Sequence, residues 1–435
     1  MTGLLQADAV ALPLADDTVD LVVTSPPYFA LRSYQDAGGH YAGQIGSEAT
    51  PSEFLEALWA VTAECVRVLK PSGSLWVNLG DKYAGSGGHN NSGIVDNWRN
   101  STLAGADTLR AALDDRVSSL TARGMPDMSP AVRASRRNAP DSYTKEFGAV
   151  RNKSLVGLPW RYAIGCIDDL GLILRAEVIW SKPNGLPESV ADRVRRSHEQ
   201  WFHFTLEPRY FSALDEIREP HTSDGRHAFT GHAKQYGDQR NDDGRNNVGE
   251  RNPLGKLPGS VWSIPSEPLK VPDDLGVDHF AAFPQEWPRR LILGWCPAEV
   301  CTACGEGRAP VVEKDLIQTT VMSGRPKQAT KDRPETIGHG GWDEQGYPSG
   351  NMVATITGYA CACPDNSAPS TPGVVLDPFA GTGTVPMVAR ALGRTGIGVD
   401  LSADYLRLAA WRVFESGHAS KTVARTNGER QGMLL

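Results

Sequence analysis

Thr24-Ser25-Pro26-Pro27-Tyr28 is the run whose residue types are best suited to chemistry. It follows the apolar stretch Val19-Asp20-Leu21-Val22-Val23, which reads as a buried parallel strand ending abruptly. Pro26 and Pro27 each fix φ and supply no N–H. The residue ahead of each proline is pushed toward extended backbone. The chain therefore leaves the strand as a stiff loop that presents carbonyl acceptors, and Tyr28 offers a ring face at its end. Such a loop suits a flat polar group with an exocyclic amine, held by acceptors at its edge and an aromatic ring over its face. Taken by itself, the same run also fits a plain turn after a strand.

A second run stands near the other end of the chain: Gly373-Val374-Val375-Leu376-Asp377-Pro378-Phe379-Ala380-Gly381-Thr382-Gly383-Thr384. It reads as a short buried strand, then a loop whose glycines allow tight turning, then a helical pattern through Arg390. A further apolar strand, Thr395-Gly396-Ile397-Gly398-Val399, ends in Asp400. A carboxylate at that place is positioned to accept bonds from a ribose diol, as in nucleotide-binding α/β folds. The other reading of Asp400 is a helix cap working with Ser402. The glycine spacing is not the dinucleotide pattern.

The elements between these runs describe a mixed α/β protein. Residues 1–83 read as strand, loop, helix and strand, with a helix from about Pro51 to Leu69 opened by Thr50-Pro51-Ser52-Glu53. Lys70-Pro71-Ser72-Gly73 reads as a turn into the strand Ser74–Leu79. Residues 84–150 are rich in Gly, Asn, Ser, Asp and Arg and lack apolar periodicity, so they form a separate insert of loops. Between Arg133 and Arg161 seven basic residues face two acidic ones, which suits phosphate contact or a solvated arm equally. Residues 151–220 regain core character: a helix over Val156–Cys166 and strands over Leu172–Trp180 and Trp201–Leu206. The basic run Asp192–His198 between those strands fits a DNA-backbone contact or a polar surface turn. Residues 221–256 are polar and glycine-rich. Residues 257–295 return to the core with a helix over Pro288–Trp295, 296–370 form an insert, and 371–435 close the domain with a helix over Ala403–Phe414 and a tail.

Taken together, these features resemble the amino-group DNA methyltransferases, which methylate the N4 of cytosine or the N6 of adenine with S-adenosylmethionine. Asp-Pro-Phe-Ala-Gly-Thr-Gly is similar to the family's cofactor motif, and Thr-Ser-Pro-Pro-Tyr to its catalytic motif. Gly73–Asp81, Leu155–Trp160 and Ile179–Asn184 are also similar to bacterial and phage members. The catalytic motif precedes the cofactor motif here, which resembles the beta-type order. The resemblance implies a circularly permuted Rossmann-like methyltransferase fold with inserted target-recognition and zinc-ribbon-like segments. It implies catalytic roles for Ser25, Pro26, Pro27 and Tyr28. It implies cofactor contacts from Asp377, Phe379, Gly381, Gly383 and Asp400, from Asp8 near the adenine, and from Phe283 and Pro284 at the methionine end. For Asp8 an exposed turn carboxylate is the alternative. Family members with Ser at the position of Ser25 more often act on the N4 of cytosine, and those with Asp or Asn on adenine. The competing readings are an N6-adenine enzyme and a catalytically silent DNA-binding subunit. Expected partners are double-stranded DNA, a second copy of the chain and a cognate restriction endonuclease.

The cysteines are uneven. Cys65 and Cys166 sit in apolar helical contexts, as small core residues do. Cys301-Thr-Ala-Cys304-Gly has the spacing of a zinc knuckle, and Cys361-Ala-Cys363 would complete four sulfur ligands, with Cys296 and His339 in reserve. Reduced thiols without metal are the alternative. The net charge of −7 requires any DNA contact to come from a local basic face. No apolar run is long enough for a membrane span and no export signal is evident, so the expected location is the cytoplasm.

Overall fold

The computed structural model describes residues 2–30, 35–36, 39–40, 44–84, 150, 153–185, 188, 190–221, 252–269, 271, 283–317, 351–363 and 367–415. The inserts expected over 84–150 and 221–256, the segment 278–282, His339 and the tail lie wholly or mostly outside these residues.

In chain order the strands are β1 (Gly3–Gln6), β2 (Val19–Thr24), β3 (Gln35–Asp36), β4 (Gly39–His40), β5 (Leu69–Leu79), β6 (Ile173–Ser181), β7 (His198–Thr205), β8 (Val261–Ser263), β9 (Glu299–Cys301), β10 (Ala309–Ile317), β11 (Asn351–Ala360), β12 (Ser370–Pro372), β13 (Val374–Asp377) and β14 (Thr395–Asp400). The α-helices are α1 (Pro51–Val68), α2 (Leu158–Asp168), α3 (Glu286–Trp295), α4 (Thr384–Ala391) and α5 (Ala403–Ala410).

Eight strands form the main sheet in the order β1-β14-β13-β2-β5-β7-β6-β8. The first five run parallel, and β7 is antiparallel to both β5 and β6. β2 is buried at every position, as a parallel strand covered on both faces must be. One apolar core packs α1 and α2 on one face, where Trp59 donates to the Tyr162 carbonyl. The other core is rich in tryptophan: Trp201 stacks on Trp287, and Trp287 on Trp262, beneath α3.

This order makes β13 and β2 neighbours although they are more than 350 residues apart in sequence. From β2 the chain crosses through α1 to β5 on one side. From β13 it crosses through α4 to β14 on the other. The crevice outside the carboxyl ends of β2 and β13 is thus a topological switch point, where open α/β sheets bind ligands. The two sequence motifs leave these two strands at that edge, as a permuted Rossmann-like methyltransferase fold requires.

Helix α1 starts where its capping box dictates: Thr50 Oγ1 accepts from the Glu53 N–H and the Glu53 carboxylate accepts from the Thr50 N–H. The expected turn at Lys70–Gly73 is instead part of β5. Pairing with β2 jumps from Val19–Leu69 to Leu21–Ser74, so the Pro-Ser-Gly segment forms an irregularity within the strand. The last helix also differs, because α5 ends at Ala410 and continues as a π-turn over Trp411–Glu415. That wider turn carries Arg412 inward against the loop after β13 and the start of α4, where its Nη1 donates to Thr382 Oγ1 at 2.8 Å and Thr384 Oγ1 at 2.6 Å.

Candidate active site and cysteine cluster

The loop after β2 and the loop after β13 are joined directly. Thr24 Oγ1 donates to Asp377 Oδ1 at 2.8 Å in a buried contact, and the same oxygen accepts from the Phe379 N–H at 3.1 Å. The other oxygen, Asp377 Oδ2, is buried and has no hydrogen-bond partner among the described residues. Burial pushes the Asp377 carboxyl up to about 7, assisted by the charge of Asp400, while the bonds from Thr24 and Phe379 pull the other way. A buried carboxylate oxygen without a partner is unfavourable unless a donor, best a cationic one, comes to it.

Asp400 ends β14 beside this loop. Its Oδ2 accepts from the Gly381 N–H at 2.8 Å and its Oδ1 from the Ser402 N–H at 2.9 Å. Ser402, rather than Asp400, caps α5 through its own hydroxyl. Both oxygens are oriented by backbone amides at the carboxyl end of β14, the place where a carboxylate meets a ribose diol in nucleotide-binding α/β folds. Gly381 and Gly383 both have positive φ, at 49° and 72°. Their reasons differ. A Cβ on Gly383 would lie 2.9 Å from Ala409 Cβ, so this glycine admits α5, whereas a Cβ on Gly381 would meet only the Phe379 carbonyl oxygen, at 4.0 Å. Phe379 is half-buried at the edge of the first core.

Asp8 follows β1, whose partner is β14, so it stands on the same edge as Asp400. It is exposed, and its Oδ1 accepts from the Val10 N–H at 3.0 Å. Phe283 meets Trp201 edge-to-face at 5.8 Å, and the buried Pro284 accepts from the Trp287 N–H to start α3.

On the acceptor side Pro26 is buried and Ser25, Pro27 and Tyr28 are half-buried. Tyr28 is less exposed than the sequence suggests, because its ring lies against Gly80, where a Cβ would come within 2.6 Å of it. Its hydroxyl turns inward to Asn78 Oδ1 at 2.7 Å and Glu199 Oε2 at 2.8 Å. Burial, and then Glu199, hold its pKa well above the usual phenol value, so it stays a protonated donor. Ser25 Oγ donates to the same Asn78 oxygen at 3.2 Å, and Asn78 Nδ2 donates to the Gln200 carbonyl, which fixes the amide's orientation. Glu199 is held in turn by Lys182 Nζ at 2.5 Å, and that ammonium sits 4.0 Å over the Trp180 ring.

Asn78, Glu199, Lys182 and Arg412 were not among the residues chosen from sequence. Asn78 and Lys182 fall within stretches noted for their resemblance, which is a weak signal. Glu199 and Arg412 lie outside any such stretch. Asp81, next to Tyr28's platform, accepts from the Gly157 and Leu158 N–H groups and so fixes the start of α2.

The family model of the N6/N4 methyltransferases, described as DNA methylase, matches residues 19–299 and 367–410. The chain belongs to this family. Among curated relatives, the methylase is 36% identical over 219 residues to the type II methyltransferase M.XycI of Xanthomonas campestris pv. cyanopsidis, covering 50% of this chain and 58% of that protein. It is 30% identical over 294 residues to M.Cfr9I of Citrobacter freundii, covering 67% of this chain and 71% of the other. Among solved structures it is similar to the PvuII DNA methyltransferase (cytosine-N4-specific), with 14% identity, a TM-score of 0.46, and coverage of 99% of this chain and 93% of that one. The family takes its methyl group from S-adenosylmethionine. No helix among the methylase's described residues is long and apolar enough to cross a membrane.

Far from this edge, Cys301, Cys304, Cys361 and Cys363 bring their sulfurs within 4.8 Å of one another. Backbone N–H groups of Cys304 and Ala303 draw the Cys301 thiol down to about 6, while the neighbouring sulfurs push Cys363 up to about 12. Cys296 is not with them: it is buried in the second core beside Pro297. Cys65 and Cys166 are buried in the first core, as their apolar context predicts.

Proposed function

We propose that this chain transfers a methyl group from S-adenosylmethionine to the exocyclic N4 amine of a flipped-out cytosine in duplex DNA. The observation that carries the reading is the Thr24–Asp377 bond, which locks the acceptor loop against the cofactor loop at the switch point. When bound, S-adenosylmethionine supplies a methyl group activated by a sulfonium. The protein must then place the amine and let a proton leave.

On the cofactor side, the unpartnered Asp377 Oδ2 fits an ammonium, the Asp400 carboxylate at the end of β14 fits a ribose diol, and the uncrowded side of Gly381 fits close approach of a ligand. Phe379 flanks that space, with Phe283 and Pro284 toward the methionine end and Asp8 toward the adenine. On the acceptor side, Ser25 donates its hydrogen to Asn78, so its lone pairs face outward as acceptors for an amine. The Pro26 carbonyl is the second acceptor. Two acceptors around an aryl amine's hydrogens shift electron density back toward nitrogen, and fixed geometry supplies much of the rate. Neither group is a strong base, so the proton passes to water. Tyr28 stacks on the base, anchored through its hydroxyl by Asn78 and Glu199.

Ser25 favours cytosine over adenine because a hydroxyl here stands where adenine-directed relatives more often carry Asp or Asn. N6-adenine methylation is the alternative. Extrusion of the base costs a few kcal/mol, and one aromatic stack returns about 1–3 kcal/mol, so contacts to the duplex beyond Tyr28 are also needed. We place the protein in the cytoplasm, where a cognate endonuclease and a second copy would find it.

The decisive experiment expresses the chain in a host lacking methylation, digests its DNA to nucleosides and identifies the product by mass. N4-methylcytosine is expected, and it should vanish with Tyr28→Ala. N6-methyladenine alone would establish the adenine reading. Absence of both, with S-adenosylmethionine binding also absent by calorimetry, would establish a silent subunit.

A further inference from the structure

The cysteine cluster is the strongest feature that the methyl-transfer site does not use. Its four sulfurs come from two short segments on either side of a hairpin. Cys301 ends β9 and Cys304 follows in a knuckle closed by the Gly305 N–H to the Cys301 carbonyl, with Gly305 at a φ of +73°. The chain then enters β10, pairs antiparallel with β11 and returns directly to Cys361 and Cys363. Cys301 Sγ and Cys363 Sγ are 3.8 Å apart across 62 residues of sequence. A tetrahedral zinc ion with bonds of about 2.3 Å has sulfur–sulfur edges of about 3.8 Å.

Packing does not account for this grouping. Free cysteines are usually buried as small apolar residues. Here Cys304 is exposed and Cys361 and Cys363 are half-buried. Arg308 lies beside Cys361 and pairs with Glu299 at 2.6 Å, which places a positive charge next to sulfurs that would carry net negative charge around a divalent ion.

The site's place in the fold gives its role. β9 pairs with β12, with Cys301 opposite Ser370, and β12 leads straight into the amino end of β13. The catalytic loops leave the opposite, carboxyl end of β13. The cluster therefore closes the base of the β10–β11 hairpin at the edge of the sheet remote from chemistry.

We propose that Cys301, Cys304, Cys361 and Cys363 bind one structural zinc ion that clasps the base of the β10–β11 hairpin to the methylase sheet without taking part in cofactor binding. With four sulfur ligands no coordination position is left for a substrate. The clasp closes a long chain excursion, so its loss should be felt as lost stability of the insert rather than lost catalysis.

The test uses the full chain purified without added metal or an affinity tag that binds metal. Elemental analysis should find about one zinc per chain, as a single tetrathiolate site requires. A mercurial added to the wild-type protein should release that zinc to a colorimetric indicator, a measurement that does not depend on any variant folding. Cobalt exchange should give intense visible bands with a sulfur-to-cobalt charge-transfer band. The double variant Cys304→Ser/Cys363→Ser should lose zinc, while Cys296→Ala should keep it. Zinc-free protein should melt at lower temperature and be cut faster by protease within 302–362, with its dissociation constant for S-adenosylmethionine changed less than twofold. Absence of bound metal, with four reactive thiols or a disulfide in their place, would overturn the site. Loss of S-adenosylmethionine binding in folded zinc-free protein would overturn the clasp.

Discussion

At the scale of single residues, Asp377 carries the clearest consequence. Its carboxyl ionises near 7 rather than near 3.8, because burial penalises the charge more than Thr24 and Phe379 support it. Below about 3.8 both folded and unfolded chains hold this proton. Between about 3.8 and about 7 only the folded chain does, so rising pH removes stability from the cofactor-free protein across that window and no further above it. In the proposed role of Asp377, cofactor binding would have the opposite sense, because an ammonium needs the ionised carboxylate. Affinity for S-adenosylmethionine should therefore rise with pH by up to about tenfold per unit below about 7 and then level off. Calorimetric titration at several pH values checks this, and Asp377→Asn should bind weakly with that pH dependence flattened. A wild-type affinity independent of pH across the window would mean that Asp377 does not face the cofactor's amino group.

At the scale of elements, the acceptor loop is held by strands on both sides of it. Thr24 ties it to β13, and the Tyr28 hydroxyl ties it to β5 through Asn78 and to β7 through Glu199. That hydroxyl is what separates Tyr from Phe here, since in the proposed role either ring would stack on a base. Tyr28→Phe should lower single-turnover methylation about tenfold, in line with a loss of roughly 1–3 kcal/mol for a buried polar network deprived of one member. S-adenosylmethionine affinity should stay unchanged, because the Tyr28 hydroxyl bonds to β5 and β7 rather than to the loop after β13. Glu199→Gln should produce a smaller loss, and the two losses should not add, as expected of residues in one network. Unchanged methylation in Tyr28→Phe would leave the ring as the only contribution. This support was illegible in the sequence for a definite reason. Tyr28 and Glu199 are 171 residues apart, and nothing in local periodicity announces a contact across β5 and β7. What was legible depended on local chemistry: the capping box that starts α1, the apolar runs of β2 and β13, and the glycines and terminal Asp around α4. The turn expected at Lys70–Gly73 failed because pairing with β2 absorbed it into β5.

At the scale of the whole molecule, the order of the two motifs already implied a permuted sheet, and the sheet order explains why distant ends of the chain share one crevice. The sequence was less informative about how an acidic protein meets DNA. With a net charge of −7, binding must rely on local basic groups near the catalytic edge. β6 ends and β7 begins at that edge, so the loop between them, with Arg193, Arg195 and Arg196, projects beside Tyr28's anchor Glu199. Arg193 stacks over Tyr83 at 3.8 Å and pairs with Glu188, which assigns it to holding the loop. Arg195 is exposed, with its Nη1 donating to the Gly185 carbonyl at 2.7 Å, so its guanidinium stands at the surface where a phosphate can reach it, and it is the better candidate for a phosphate contact. Arg195→Ala should weaken duplex binding by a similar factor for every sequence and reduce the slope of log affinity against log salt by about 1. S-adenosylmethionine affinity should not change. Fluorescence anisotropy over a salt series measures both affinity and slope, and it separates a phosphate contact from a sequence-reading one, which would lose specificity instead. An unaltered slope would return this loop to its other reading, a polar surface turn, and would move the basic face of the interface to the segments around it.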